Sequence, residues 1–205
     1  MNKTRLEFLS DGVFAIVFTL LAIEIRVPEH AKNYTELMHG LSDLTPVFLS
    51  YFMSFAILTM FWLSHHGLYQ YFTKTINRQL VLLNMVYLSF IALVPFSTHL
   101  LGAYGSYPIA VAFYGVNILC ISLVAVWVFY YAIWSKEVDL HEYSSRVFKQ
   151  AKIRLWLTPT FNILGLLFVP FFLPIALFFF AFPIVFNVIP GTLDATEKFF
   201  GLKLE

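Results

Sequence analysis

The stretch PIAVAFYGVNILCISLVAVWVFYYAIW (Pro108–Trp134) contains no Asp, Glu, Lys, Arg or His. It exceeds the roughly 20 apolar residues that a helix needs to cross the hydrocarbon core of a bilayer. Its apolar character is continuous, with neither the one-sided stripe of a soluble helix nor the alternation of a strand. A transmembrane β-barrel would show alternating strands of about ten residues, and none is present. The rest of the chain has the same character: of 205 residues 60% are hydrophobic, 19% aromatic and only 12% charged, with a mean hydropathy of +0.77. A typical soluble domain is about 25% charged. No soluble fold of this size hides so much apolar surface. This excludes a cytosolic enzyme, a disordered chain and, with Cys120 as the single cysteine, a secreted disulfide scaffold. A net charge of +1 without a basic run argues against a nucleic-acid partner.

Working outward from this stretch, six spans are predicted at about residues 6–25, 46–66, 79–101, 108–134, 153–169 and 173–189. The fold class is therefore all-α, a polytopic membrane protein of six transmembrane helices in one domain over residues 1–205. Only the Pro170–Pro174 turn parts the last two spans. Lys3 and Arg5 ahead of an apolar run imitate a signal peptide, but Asp11 and Glu24 interrupt it and no A-x-A site follows. The run is read as a retained first span. With the N-terminus inside, all Lys and Arg except Arg26 and Lys32 face the cytoplasm, so both termini are expected there. Leu37, Met38, Leu41 and Leu44 at helical spacing suggest a short interfacial helix on the outer side.

Ionisable residues inside spans are costly and draw attention first. The alternating directions of the spans put Arg5, Ser10 and Asp11 of helix 1, His65 of helix 2 and Asn84 of helix 3 at one depth near the inner side. Trp62, one turn from His65, can wall this cluster. Two readings fit: a polar network that fixes or gates three helices, or an interhelical staple with no transport role. Asp11 is expected to be ionised and paired. At the other end of helix 1, Glu24 beside Arg26 reads as a snorkelling pair or an acidic ring at a pore mouth. Gly12, Ile16, Thr19, Leu20 and Ile23 share one side of helix 1, an arrangement common to lipid-facing and core stripes.

Other chemistry has little support. His65 and His66 are adjacent, so they point apart, and His99 lies a membrane thickness away. There is no zinc-ligand spacing, no H-E-x-x-H and no G-x-S-x-G elbow. No catalytic residue, metal site or cofactor is predicted, and the chain is not read as an enzyme. Asn33-Tyr34-Thr35 fits a glycosylation acceptor only as a bare three-residue match.

Helix 1 also carries Arg5-Leu6-Glu7-Phe8-Leu9-Ser10-Asp11-Gly12. This resembles the R-x-x-x-F-S-D-G motif that opens the transmembrane-protein-175 family of potassium channels. Further matches follow in order: Phe61-Trp62-x-x-His65, Asn84, and Leu93-x-Pro95-Phe96-x-Thr98-x-x-Leu101-Gly102-x-Tyr104. One departure is Leu9 in place of the motif phenylalanine, with Phe8 beside it.

The resemblance, to the bacterial branch, implies a homotetramer in the bacterial plasma membrane with helix 1 of each subunit around a central pore. Potassium would be the permeant ion, favoured moderately over sodium, without a T-V-G-Y-G filter. By position, Ile16, Leu20 and Ile23 would form the constriction, with Thr19 as the neighbouring hydroxyl. Arg5, Ser10, Asp11 and His65, joined by Trp62 and Asn84, would hold helix 1 from the cytoplasmic side. The alternative function is a proton-coupled secondary transporter using Asp11 and His65, although no internal repeat supports it.

Overall fold

A computed structural model describes residues 2–23, 25–28, 32–142 and 144–188. Glu24, Lys198 and Lys203 lie outside them. Most of the described chain is helical: α1 (Lys3–Ile23), α2 (Tyr34–Asp43), α3 (Thr45–Gly67, continued by a π-helical turn over Leu68–Phe72), α4 (Arg78–Ala92), α5 (Val94–Tyr104), α6 (Pro108–Trp134), α7 (Ser145–Phe168) and α8 (Leu173–Val188). Apart from short α2, which lies between α1 and α3, these helices make six rods, because α4 and α5 together form one. Among the described residues four stretches are long and apolar enough to cross a membrane: 3–23, 34–72, 78–104 and 108–134. Helix α8 is equally apolar but shorter, and the first half of α7 is charged.

Local sequence accounts for the interruptions. Pro95 has no N–H to offer the carbonyl of Ile91, and it pushes the preceding residue away from helical geometry. The third rod therefore breaks at Leu93, whose N–H bonds Phe90 instead. Pro159 and Pro183, by contrast, lie buried inside continuous helices. Helix α7 starts eight residues ahead of the predicted span, at Ser145, because Ser144 caps it by accepting from the Val147 N–H. Its charged first turns lengthen the helix without lengthening the apolar span. Helix α2 is capped by Asn33, which accepts from Glu36 N–H.

Two apolar clusters make the core. The larger joins Phe14, Val17 and Leu21 of α1 to Ile57, Met60 and Phe61 of α3 and to Tyr114 and Ile118 of α6. Phe180 of α8 closes it by inserting between Gly115 of α6 and Gly165 of α7, where a side chain on either glycine would collide with the ring. The smaller cluster, around Leu6, Tyr69, Leu80 and Phe129, lies where α1 and α4 begin and α3 and α6 end. Loop contacts seal that end. Thr73 pairs with Leu140, Lys74 N–H donates to Asp139 O at 2.7 Å, and Lys3 Nζ donates to Thr73 O at 2.8 Å. Helix α1 thus sits at the edge of the bundle, against α3, α4 and α5.

Candidate functional site

Helix α1 has two opposed faces. Leu6, Ser10, Phe14, Val17 and Leu21, spaced three and four residues apart, are buried against the bundle. On the other side Ile16 is 60% exposed, Leu20 40% and Ile23 69%, whereas Phe14, Val17 and Leu21 are at most 2% exposed. Thr19 is exposed on the same side, and its Oγ1 donates to the Ile16 carbonyl at 2.8 Å. That bond occupies the hydroxyl proton and leaves the oxygen lone pairs outward. Gly12 adds open space to this face. Phe8 and Leu9 are exposed as well, so the leucine that replaces the motif aromatic points away from its own bundle.

The buried face is tied down by a directed chain of hydrogen bonds. His65 Nε2 of α3 donates to Asn84 Oδ1 of α4 at 2.7 Å, since a carbonyl oxygen can only accept. Asn84 Nδ2 donates to Ser10 Oγ of α1 at 3.0 Å, and Ser10 Oγ donates to Leu6 O at 2.9 Å. Ser10 and Asn84 are fully buried. Each residue passes a donor to the next, so three helices are locked in one register. Aromatic rings enclose His65: Tyr69 lies 4.7 Å away, Tyr87 stacks at 5.5 Å and Phe14 lies at 6.0 Å.

A second tie runs beside it. Trp62 Nε1 of α3 donates to Asp11 Oδ1 of α1 at 2.9 Å. Trp62 in turn stacks on His66, one turn along α3. Of the six residues expected in the polar network, the structure therefore brings Ser10, Asn84 and His65 into one chain and Asp11 and Trp62 into another. Arg5 is the exception. It is exposed, and among the described residues no hydrogen bond or ion pair joins its side chain to Asp11. The expected charge pairing of Asp11 is thus replaced, within one chain, by an indole donor. The reason is helical phase: six residues separate Arg5 from Asp11, which turns their side chains to different sides of α1.

Sequence reading missed a second polar seam deeper in the bundle. Thr98 Oγ1 of α5 donates to Ser54 Oγ of α3 at 2.8 Å, and Ser54 bonds the Tyr114 hydroxyl of α6 at 2.9 Å. Asn117 Nδ2 donates to Ser97 Oγ at 3.1 Å. Its traces in the sequence were the hydroxyls of Ser54, Ser97, Thr98 and Tyr114 and the amide of Asn117, scattered through apolar spans. Among the described residues, no three His, Cys, Asp or Glu side chains group closely enough to hold a metal ion.

Residues 5–95 match the family model for the endosomal/lysosomal potassium channel TMEM175. A potassium channel of Streptomyces collinus is 38% identical over 105 residues, 51% of this chain and 50% of that protein. The endosomal/lysosomal proton channel TMEM175 of Gallus gallus is 34% identical over 149 residues, 69% of this chain but 29% of that protein. The chain therefore spans half or less of these relatives. The fold extends further than the sequence match. The crystal structure of a lysosomal potassium-selective channel TMEM175 homologue from Chamaesiphon minutus superposes with a TM-score of 0.78 at 23% identity, covering 93% of this chain and 98% of the other. The matched segment holds both ties on α1 and the whole of its exposed face, and over these residues the chain is similar to the TMEM175 family of channels.

Proposed function

We propose that the protein is a homotetrameric potassium channel of the bacterial plasma membrane, with both termini cytoplasmic and residues 1–205 forming one channel domain. In this reading α1 of each subunit faces a shared axis. The observation that carries it is the division of α1 into a latched face and an open one: Ser10 and Asp11 tie one side to α3 and α4, while Ile16, Thr19, Leu20 and Ile23 stand exposed on the other. A single helix cannot enclose a pore, and four copies around an axis can.

Rings of Ile16, Leu20 and Ile23 would constrict the path. An apolar ring gates by dewetting, so slight narrowing stops ions without a plug. Potassium sheds hydration water more readily than the smaller sodium ion, which favours it moderately at such a throat. Thr19 from each subunit would offer oxygens in exchange. Asp11 and Ile23 lie about 18 Å apart along the axis at 1.5 Å per residue, so the polar ties act on the pose of α1 and not on the ion. Arg5, exposed and without a bond to Asp11 inside its own chain, is placed to find a partner in the neighbouring subunit.

Proton permeation or proton-coupled transport through Asp11 and His65 is the competing function, favoured by the description of the chicken relative as a proton channel. The hydrogen bonds favour the anchoring role. The His65–Asn84–Ser10 chain ends on a backbone carbonyl, and the partner of Asp11 is an indole, which donates but cannot accept. Purified protein in planar bilayers under a potassium/sodium gradient separates the two. Passive current reversing toward the potassium equilibrium potential is expected. Current that follows the proton gradient, or none above empty bilayers, contradicts the proposal.

A further inference from the structure

A cavity lies away from α1, between α3, α6, α7 and α8 at the end of the bundle where α7 begins. It measures about 530 Å³, within the range of small-molecule sites, and is walled largely by apolar side chains such as Leu63, Leu68, Phe129 and Leu155. Its apolar depth continues into a void of about 40 Å³ that borders His65. Arg154 of α7 reaches into the wall, and its Nε is buried without a hydrogen-bond partner. None of the described lining residues is acidic.

A buried guanidinium N–H without an acceptor is costly in an apolar setting. The surroundings identify what would supply one. Trp156 Nε1 donates to the Tyr130 hydroxyl at 3.1 Å, Tyr130 lies against Trp134, and Lys152 sits over the rings of Tyr130 and Phe148. Trp and Tyr collect at the headgroup level of a bilayer, and long cationic side chains extend to that level. Arg146, Lys149 and Lys152 precede Arg154 on the same helix, so positive charge is concentrated where the charge bias places the cytoplasmic leaflet.

We infer that this cavity is a binding site for an anionic phospholipid of the inner leaflet, with the phosphodiester on the Arg154 guanidinium and acyl methylenes along Leu63, Leu68, Phe129 and Leu155. Arginine suits the task because its planar fork can bond two phosphate oxygens at once. The apolar walls favour a lipid over a free phosphate ion, which would leave them unfilled.

Native mass spectrometry of the detergent-solubilised protein tests this with phosphatidylglycerol and phosphatidylcholine as probes. The protein should retain phosphatidylglycerol preferentially. Arg154→Gln should weaken that retention about tenfold, the loss expected for one charge-assisted hydrogen bond, while Arg26→Gln on the opposite side leaves it unchanged. Ala151→Trp, which fills the cavity and keeps the guanidinium, should weaken it at least as much, so the test survives if Arg154→Gln fails to fold. Equal retention of both lipids, or of phosphatidylglycerol by either cavity variant, overturns the inference. So does displacement by glycerol 3-phosphate, which marks an anion site without need of acyl chains. A photo-crosslinker at residue 151 should label the lipid, and labelling of residues 189–205 or of a second copy overturns it as well.

Discussion

The α1–α3–α4 side of the molecule and the α6–α7–α8 side are held together by different physics. The first depends on directed hydrogen bonds among Ser10, Asp11, Trp62, His65 and Asn84. The second depends on shape: Phe180 fills the space left by Gly115 and Gly165, and Phe161, Phe168, Phe179 and Phe182 stack along α7 and α8. Hydrogen bonds demand particular atoms at particular places, whereas packing accepts any group of the right volume. The family-model match covers residues 5–95 and stops short of α6–α8.

The largest effect is expected on the packed side. Phe180→Ala empties a site bordered by three helices and should destabilise the folded protein by about 3–5 kcal/mol. A fall in thermal stability in detergent reports it, and a change under 1 kcal/mol would mean that α8 carries little of the fold. On the polar side a substitution of similar size and shape suffices. Asn84→Leu preserves volume but strands the His65 donor and removes the bond to Ser10, at a cost of about 2 kcal/mol. If it proved neutral, the comparison between the two sides would fail. Trp62→Phe keeps the ring stacking and removes one bond to Asp11, so about 1 kcal/mol is expected, read in the same melt. Arg5→Gln should shift the stability of the single chain by less than about 0.5 kcal/mol. A larger loss would reveal a partner for Arg5 within the chain.

Most of the fold was readable because a bilayer imposes a coarse rule: long uncharged runs become helices. Pro108–Trp134 needed nothing more. The rule was silent about α7, where Arg146, Lys149 and Lys152 end the apolar run while the helix continues to Ser145. It was silent too about the break at Leu93, a consequence of one missing N–H at Pro95. The residues around α1 could be grouped by depth, since 1.5 Å per residue fixes height along an axis. Their pairing could not be read that way, because it depends on rotation about the axis and on which helices touch. Depth groups Arg5 with Asp11, but rotation gives Asp11 to Trp62. The cavity at Arg154 left no trace in sequence, as four helices separated along the chain build its walls.

The exposed face of α1 is the point on which the channel account turns. Ile23→Cys in a Cys120→Ala background, reconstituted in liposomes, tests it through potassium flux before and after a small hydrophilic thiol reagent. A cysteine on the ion path should be modified and the flux should fall. A cysteine that stays unmodified while potassium flows, or that reacts without altering the flux, would place this face of α1 outside the pore and contradict the account.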